Sequence, residues 1–375
     1  MDVHTADNFR NDLGLAQADV QAGVIPSRAR AADAHWDIWE NFCANMRMDP
    51  TLQVVDDPVP FLQVFAYRYR HGHYASKADV RSKTVDCALR NVGQTFASMG
   101  APDPRITLQG KMDFRLRRQL ACYTTQDPPP DWVKPVPIAI IRHVLAAAIV
   151  SGTIDNLAVA DMIVLAFFFL LRPGEYTATA SDTTPFRMCD VQLFIGPVRI
   201  DLTTADKQTL WSANFASLTF TTQKNGVRGE VIGLGRSGDP QFCPVLCIVR
   251  RILHLRHFNA PAETPLASHF TNHSWRPVSA KDISTTLKLA AAILGPTYGF
   301  LPKDISARSM RAAGATALLC AQVDSDTIRL IGRWRSDEML RYLHVQAEPV
   351  MRHFAQRMLT QGAFLMHPCQ DVPMY

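Results

Sequence analysis

Residues 127–137 read Asp-Pro-Pro-Pro-Asp-Trp-Val-Lys-Pro-Val-Pro, five prolines in eleven positions. Each proline holds φ near −65° and removes a backbone donor, so neither a helix nor an inner strand can run through this stretch. It reads as a stiff, extended connector. A chain of 375 residues cut in this way is expected to fold as two bodies, in keeping with domains of roughly 100–200 residues.

Before the connector the apolar spacing is helical. Residues 1–24 look loosely structured, with a short helix near 8–16. Helical patterning begins after Ser27, an N-cap candidate, and runs through Trp36, Ile38, Trp39 and Phe42 toward Met46. Further helices are predicted over 59–69, 78–99 and 112–123. In the second of these Val80, Val85, Leu89, Val92 and Phe96 form an apolar stripe, and Gly100 ends it. Beyond the connector come helices at 138–150 and 156–171, the latter stopped by Pro173, which itself suits the first turn of a new helix. Strand-like runs follow at 191–194, 198–202, 218–222 and 231–234, with Lys224-Asn-Gly226 as hairpin-turn chemistry. The remainder is helical: 244–257, 280–294, 307–320, 325–331, 336–344 and 350–360. The expected fold is mainly α with a small β-sheet.

The most apolar run, 157–171, is short for a bilayer and carries Asp161, so it reads as a buried core helix and no membrane role is expected. The eight cysteines show no CxxC pair. The closest, Cys243 and Cys247, suit helix packing better than zinc. With no secretory leader visible, free thiols in a reducing compartment are expected. Net charge is +5, yet residues 68–118 hold eleven Lys and Arg against four Asp, a local +7. Such a segment is either a solvated helical surface or a phosphate-facing one. The candidates for DNA contact in it are Arg68, Arg70, Lys77, Arg81, Lys83, Arg115, Arg117 and Arg118.

Near the C-terminus lie Arg308-Ser-Met-Arg311, then Leu330-Ile-Gly332-Arg333-Trp334, then Arg341-Tyr342-Leu-His344, while Leu171-Arg172-Pro-Gly-Glu175 closes the long apolar helix. Two separated arginines, a Gly-led turn and a tyrosine ten positions after Gly332 supply what a metal-free phosphodiester transesterase needs. A phenolic oxygen attacks phosphorus, and guanidinium forks hold the charge that develops on the phosphate oxygens. Each residue also has a plainer reading. Arg172 can pair with Glu175 or cap helix-end carbonyls, Lys224 can be a solvated turn lysine, and Tyr342 can be a half-buried structural tyrosine.

Through these motifs, in this order and at these separations, residues 135–346 resemble the tyrosine recombinase (phage integrase) family. The Gly-Arg-Trp-x-Ser form looks most like recombinases of eukaryotic mobile elements. The resemblance implies five segments: an N-terminal segment (1–24), a helical core-binding domain that clamps DNA (25–126), the linker (127–137), an α+β catalytic domain (138–346) and a tail (347–375). It implies Tyr342 as nucleophile, Arg172, Arg308, Arg311 and Arg333 as phosphate-binding groups, and Lys224 as general acid, with Lys207 a weaker candidate. Glu175, Trp334 and His344 would support them. No metal or cofactor is implied. The partners would be double-stranded DNA and further copies of the chain, two on a site and four in synapsis, in a nucleus if the source is eukaryotic and otherwise in cytoplasm.

The chain departs from the family pattern where Arg308 replaces a common histidine and where Arg333-Trp334 follows the glycine. Arginine cannot act as a base at neutral pH. Two alternatives therefore stand beside the recombinase: a DNA-binding protein that has lost the chemistry, and a type IB topoisomerase-like enzyme that uses it without synapsis.

Overall fold

The structure is a computed structural model and describes residues 3–74, 79–129, 134–179, 184–221, 223, 227–336, 339–340 and 356. The helices expected at 336–344 and 350–360, the tail, and Lys77, Lys224, Tyr342 and His344 lie outside the described residues or almost wholly so. The chain divides into two compact units, Met1–Pro130 and Asp131–Tyr375. Among the described residues no helix is long and apolar enough to cross a membrane.

The first unit is helical: α1 (Val3–Ala22), α2 (Pro26–Asn45), α3 (Val59–Arg70), α4 (Ser82–Ser98) and α5 (Phe114–Gln126). Its core gathers on Trp39, Phe42 and Phe65, with the Trp39 and Phe65 rings edge to face at 5.2 Å. The expected α4 stripe is buried through Val85, Leu89, Val92 and Phe96, whereas Val80 precedes the helix. Two expectations are corrected. Residues 3–22 are not loosely structured with a short helix at 8–16, because α1 is one continuous helix that leaves Phe9, Leu13, Leu15 and Val20 exposed. Ser27 is not an N-cap either: Pro26 takes the first helical position and Ile25 precedes it.

The connector is anchored where it leaves this unit. Asp127 accepts hydrogen bonds from the Ser82 backbone N–H (2.9 Å) and hydroxyl (2.5 Å) and pairs with Arg70. Arg70 also donates to the Val80 carbonyl (2.7 Å) and lies over the Tyr123 ring. Burial works against the Asp127 charge, but the Ser82 hydroxyl and the Arg70 guanidinium outweigh it and hold the carboxyl below its ordinary value.

The second unit is built around α7 (Ile154–Phe168), which is buried on all sides from Ala158 to Phe167. Asp161 inside it is neutralised by Arg250 (2.5 Å). Against α7 pack α6 (Ile138–Ser151), α10 (Pro244–His257), α11 (Ala280–Tyr298) and α12 (Ser309–Cys320). A four-stranded antiparallel sheet runs β2-β1-β3-β4, from β1 (Val191–Ile195), β2 (Val198–Ile200), β3 (Phe215–Phe220) and β4 (Glu230–Gly235). Short α8 (Pro173–Tyr176), α9 (Lys207–Trp211) and α13 (Ser325–Ile331) complete the helices described. A second, two-stranded sheet, β5 (Ser268–Thr271) with β6 (Ser274–Pro277), was not expected; Asn272 and His273 turn it with φ of 49° and 60°. The fold is thus mainly α with a small sheet.

Candidate active site

The helix expected to end at Leu171 ends at Phe168, and Leu170 then takes a left-handed φ of 50°. That twist turns the Leu170 carbonyl out of the helix and toward the second half of the unit. Arg172 is extended and Pro173 opens α8, so Glu175 falls at its third position. There Glu175 accepts from the Arg172 backbone N–H (2.7 Å) and from its guanidinium (2.9 Å). The arginine is held by its neighbour's carboxylate, as the plainer reading had it, but its side chain stays 27% exposed while that of Glu175 is 3%. Arg172 therefore faces solvent with its orientation set from below.

Two contacts bring α12 to this corner. The buried Tyr176 hydroxyl donates to the Ala307 carbonyl (2.8 Å), one residue before Arg308. Gly314 meets α7 so closely that an added Cβ would lie 2.1 Å from the Phe167 carbonyl oxygen. Arg311, one turn earlier on α12, donates to the Leu170 carbonyl (2.7 Å) and to the Gly332 carbonyl, and its guanidinium lies 4.1 Å from the Trp334 ring centroid. Gly332 is required by that ring, since a Cβ there would stand 1.6 Å from Trp334 Cζ3.

Arg333 turns the other way. With φ of 57° it folds inward, and its side chain has no exposed surface. It donates to Glu175 Oε2 (2.8 Å) and to the carbonyls of Ile331 (3.1 Å) and Phe169 (3.3 Å), and lies 3.7 Å over the Phe220 ring at the end of β3. Burial pushes its pKa down to about 10, against the opposing charge of Glu175. A direct contact with phosphate, expected from the motif, does not fit this placement: the guanidinium is spent on the protein interior. Arg311 is also covered, at 2% exposure. Arg172 and Arg308 are the arginines of the set that solvent reaches. Arg308 stands exposed immediately before α12.

Residues 170–175, 308–311 and 332–334 are thus brought together, across up to 164 positions of sequence. Phe220, Leu170 and Tyr176 complete the arrangement and were not singled out beforehand; a left-handed leucine leaves no mark on apolar periodicity. Lys224, four positions after Phe220, and Tyr342 and His344 lie outside the described residues. Lys207 sits elsewhere, on α9, beside a cavity of about 680 Å³ that Ile154 also lines. Ile154 opens α7, roughly 20 Å of helix away from the Arg172 corner. In that cavity Arg250 is engaged by Asp161 and Arg256 by the Ala205 carbonyl.

In the first unit the expected DNA-contacting residues divide. Arg70 is 6% exposed and tied to Asp127, so the expectation that it meets phosphate is corrected. Arg115 is held between Asp57 (2.5 Å) and Asp113 (3.1 Å). Arg68 lies over the Phe42 ring, and Arg117 and Arg118 over that of Phe114. Arg81, Lys83, Arg117 and Arg118 are exposed.

No protein-family model matches this chain, and no curated protein matches it. Among solved structures it is similar to the Tn1549 transposon integrase in complex with transposon right end DNA, at 14% identity over 81% of this chain and 85% of that one, with a TM-score of 0.47. It is similar also to the XerH site-specific recombinase bound to difH substrate (11% identity, 83% and 79% covered, TM-score 0.41). A third similarity is to XerA recombinase (14% identity, 93% and 98% covered, TM-score 0.35).

Proposed function

We propose that this chain is a DNA strand transferase that works through a 3′-phosphotyrosyl intermediate, in the manner of the tyrosine recombinases its motifs resemble. The observation that carries the reading is the meeting of three distant segments at one carbonyl. Leu170 O accepts from Arg311 on α12 and lies 3.4 Å from Arg333 beside the Gly332 turn, two residues before the partly exposed Arg172. Two arginines share the single buried Glu175 while Arg311 meets the Leu170 carbonyl beside them, a surplus of positive charge that a phosphodiester would complement.

In this reading Tyr342 Oη gives its proton to water, the substrate or a group such as His344 and attacks phosphorus, the P–O5′ bond breaks, and the departing 5′-oxygen takes a proton from Lys224. Arg172 and Arg308 hold the non-bridging oxygens from the solvent side. Arg311 adds charge beneath them, through its stack on Trp334. A 5′-hydroxyl from a second strand then reverses the step, so the bond energy is kept in the phosphotyrosyl link. Double-stranded DNA is the partner, with two copies on a site and four in synapsis, and the source is a mobile element whose enzyme acts where that DNA lies, in a nucleus or a bacterial cytoplasm.

The test is a pool of nicked duplexes of randomised sequence, incubated with the full chain and resolved under denaturing conditions. An enzyme traps a covalent adduct, and sequencing the trapped DNA gives the site. Tyr342→Phe is expected to abolish the adduct while leaving affinity nearly unchanged, because affinity comes from many phosphate contacts. DNA binding with no adduct from the wild-type chain would favour the reading as a binding protein, to which the burial of Arg311 and Arg333 lends weight. Relaxation of supercoiled DNA without strand exchange would favour the topoisomerase-like one.

A further inference from the structure

Glu175 stands between two guanidiniums of unequal exposure. Its Oε1 faces Arg172, 27% exposed, and its Oε2 faces Arg333, whose side chain is fully buried. We propose that Arg333 is a positioning residue that cancels the charge of Glu175 from beneath, so that the positive charge of Arg172 remains available to a phosphate. The proposal deepens the strand-transfer reading and rests on it for the identity of that phosphate.

Arg172 takes its direction from an acceptor, and Glu175 grips both its backbone N–H and its guanidinium. A two-member pair, however, would be neutral, and an anion approaching Arg172 would be repelled by the carboxylate directly behind it. With Arg333 as the third member the set carries one net positive charge, and the member that reaches solvent presents it. The construction around Arg333 suits this role. Its backbone holds a conformation that disfavours every side chain other than glycine, asparagine or aspartate. Three carbonyls receive its terminal nitrogens and the Phe220 ring lies under its face, while Nε is buried without a partner among the described residues. A buried charge is costly, and an apolar side chain would fill the same volume at less cost. The other carboxylate whose charge reaches Arg333, Glu230 on β4, is engaged by Gln223 (2.8 Å). Glu175 is its direct partner.

The experiment uses the full chain labelled with ¹⁵N-arginine. The Arg172 Nε resonance, assigned by its loss in Arg172→Lys, is followed while inorganic phosphate is added. Arg333→Met should weaken phosphate binding about 10-fold or more, because the uncompensated carboxylate lies close to the bound anion. Glu175→Gln in the same chain should restore affinity to near the wild-type value, since Arg172 again stands as one net charge. Glu175→Gln alone should bind more tightly than wild type. A role confined to folding would give no such recovery. Phosphate binding by Arg333→Met equal to wild type would overturn the proposal, as would a double variant as weak as the single one. Where Arg333→Met does not fold, Glu175→Gln alone decides, and weaker binding than wild type overturns the proposal. Adduct formation on nicked duplex is measured on the same proteins. Wild type that forms no adduct but shows the expected phosphate order would sink the strand-transfer reading and keep the charge relation. Wild type that forms an adduct with a flat phosphate order would do the reverse.

Discussion

At the scale of single residues, one methyl group at Gly332 would act directly on the cover of Arg311. Its Cβ would overlap the Trp334 ring, which covers Arg311. Gly332→Ala must therefore push Trp334 off the guanidinium. A loss of about 1–3 kcal/mol, normal for overpacking a filled site, is expected from denaturant unfolding, with cleavage falling further than stability explains. An alanine variant that keeps full activity would separate Trp334 from the chemistry. Arg308 gives the second residue-scale prediction. It is exposed where the family pattern commonly has histidine, and a guanidinium there can hold a phosphate oxygen but cannot remove a proton at neutral pH. Arg308→Ala should depress cleavage ~10²-fold, the loss typical of one preorganised donor, whereas Arg308→His should retain or raise it, read by adduct formation on nicked duplex. Equal rates for all three proteins would remove Arg308 from the site. The spacing of Arg172, Glu175, Arg311 and Gly332 made this cluster legible in the sequence. The inward turn of Arg333 was not, because it depends on a left-handed backbone and on Phe220, which arrives from the sheet.

The helices show where legibility comes from. α10 and α13 were read to the residue because a proline and an aspartate mark their starts; Asp324 accepts from the Thr327 N–H at 2.7 Å. By contrast α1 leaves Phe9, Leu13, Leu15 and Val20 exposed, so no buried stripe announced its full length beyond the short helix expected at 8–16. The β5–β6 turn was missed because Asn-His lacks the glycine that usually marks a two-residue hairpin loop. The anchoring of the connector on α3 and α4 was equally invisible, since it joins Arg70, Ser82 and Asp127 across 57 positions. It carries a prediction about pH. Because the folded-state pKa of Asp127 is depressed, its contribution is fully present above its unfolded value near 3.8 and is lost as pH falls through the lower folded-state value. Asp127→Asn should cost about 3 kcal/mol at neutral pH, as expected when one partner of a nearly buried pair is removed. The stability gap between wild type and variant should narrow as pH is lowered below 4, by the part that the depressed pKa supplies. A gap unchanged in acid would show that the carboxylate charge is not what holds the connector.

For the molecule as a whole, the proposed strand transfer requires basic residues that meet DNA, and the salt dependence of binding would show which they are. Each phosphate neutralised by a lysine or arginine contributes about 0.9 to the slope of log affinity against log salt. Charge counting over residues 68–118 would give every basic residue there the same weight. The structure does not: Arg70 is closed off by Asp127, Arg105 by Asp103, and Arg115 lies between Asp57 and Asp113. An arginine already paired releases no counterion from DNA unless it first gives up its own partner. Among the described residues Arg117 and Arg118 make no such pair; both rest over Phe114, which leaves their charge facing solvent. Neutralising these two together is therefore expected to lower the slope by about two, and neutralising Arg115 to leave it unchanged. The measurement is binding of the full chain to one duplex across a range of salt. A slope that falls by the same amount for Arg115 as for Arg117 or Arg118 would mean that the Asp57 and Asp113 pairs open on DNA. A slope unmoved by Arg117 and Arg118 would place the basic face of α5 away from the duplex, and the +7 segment would then be a solvated surface.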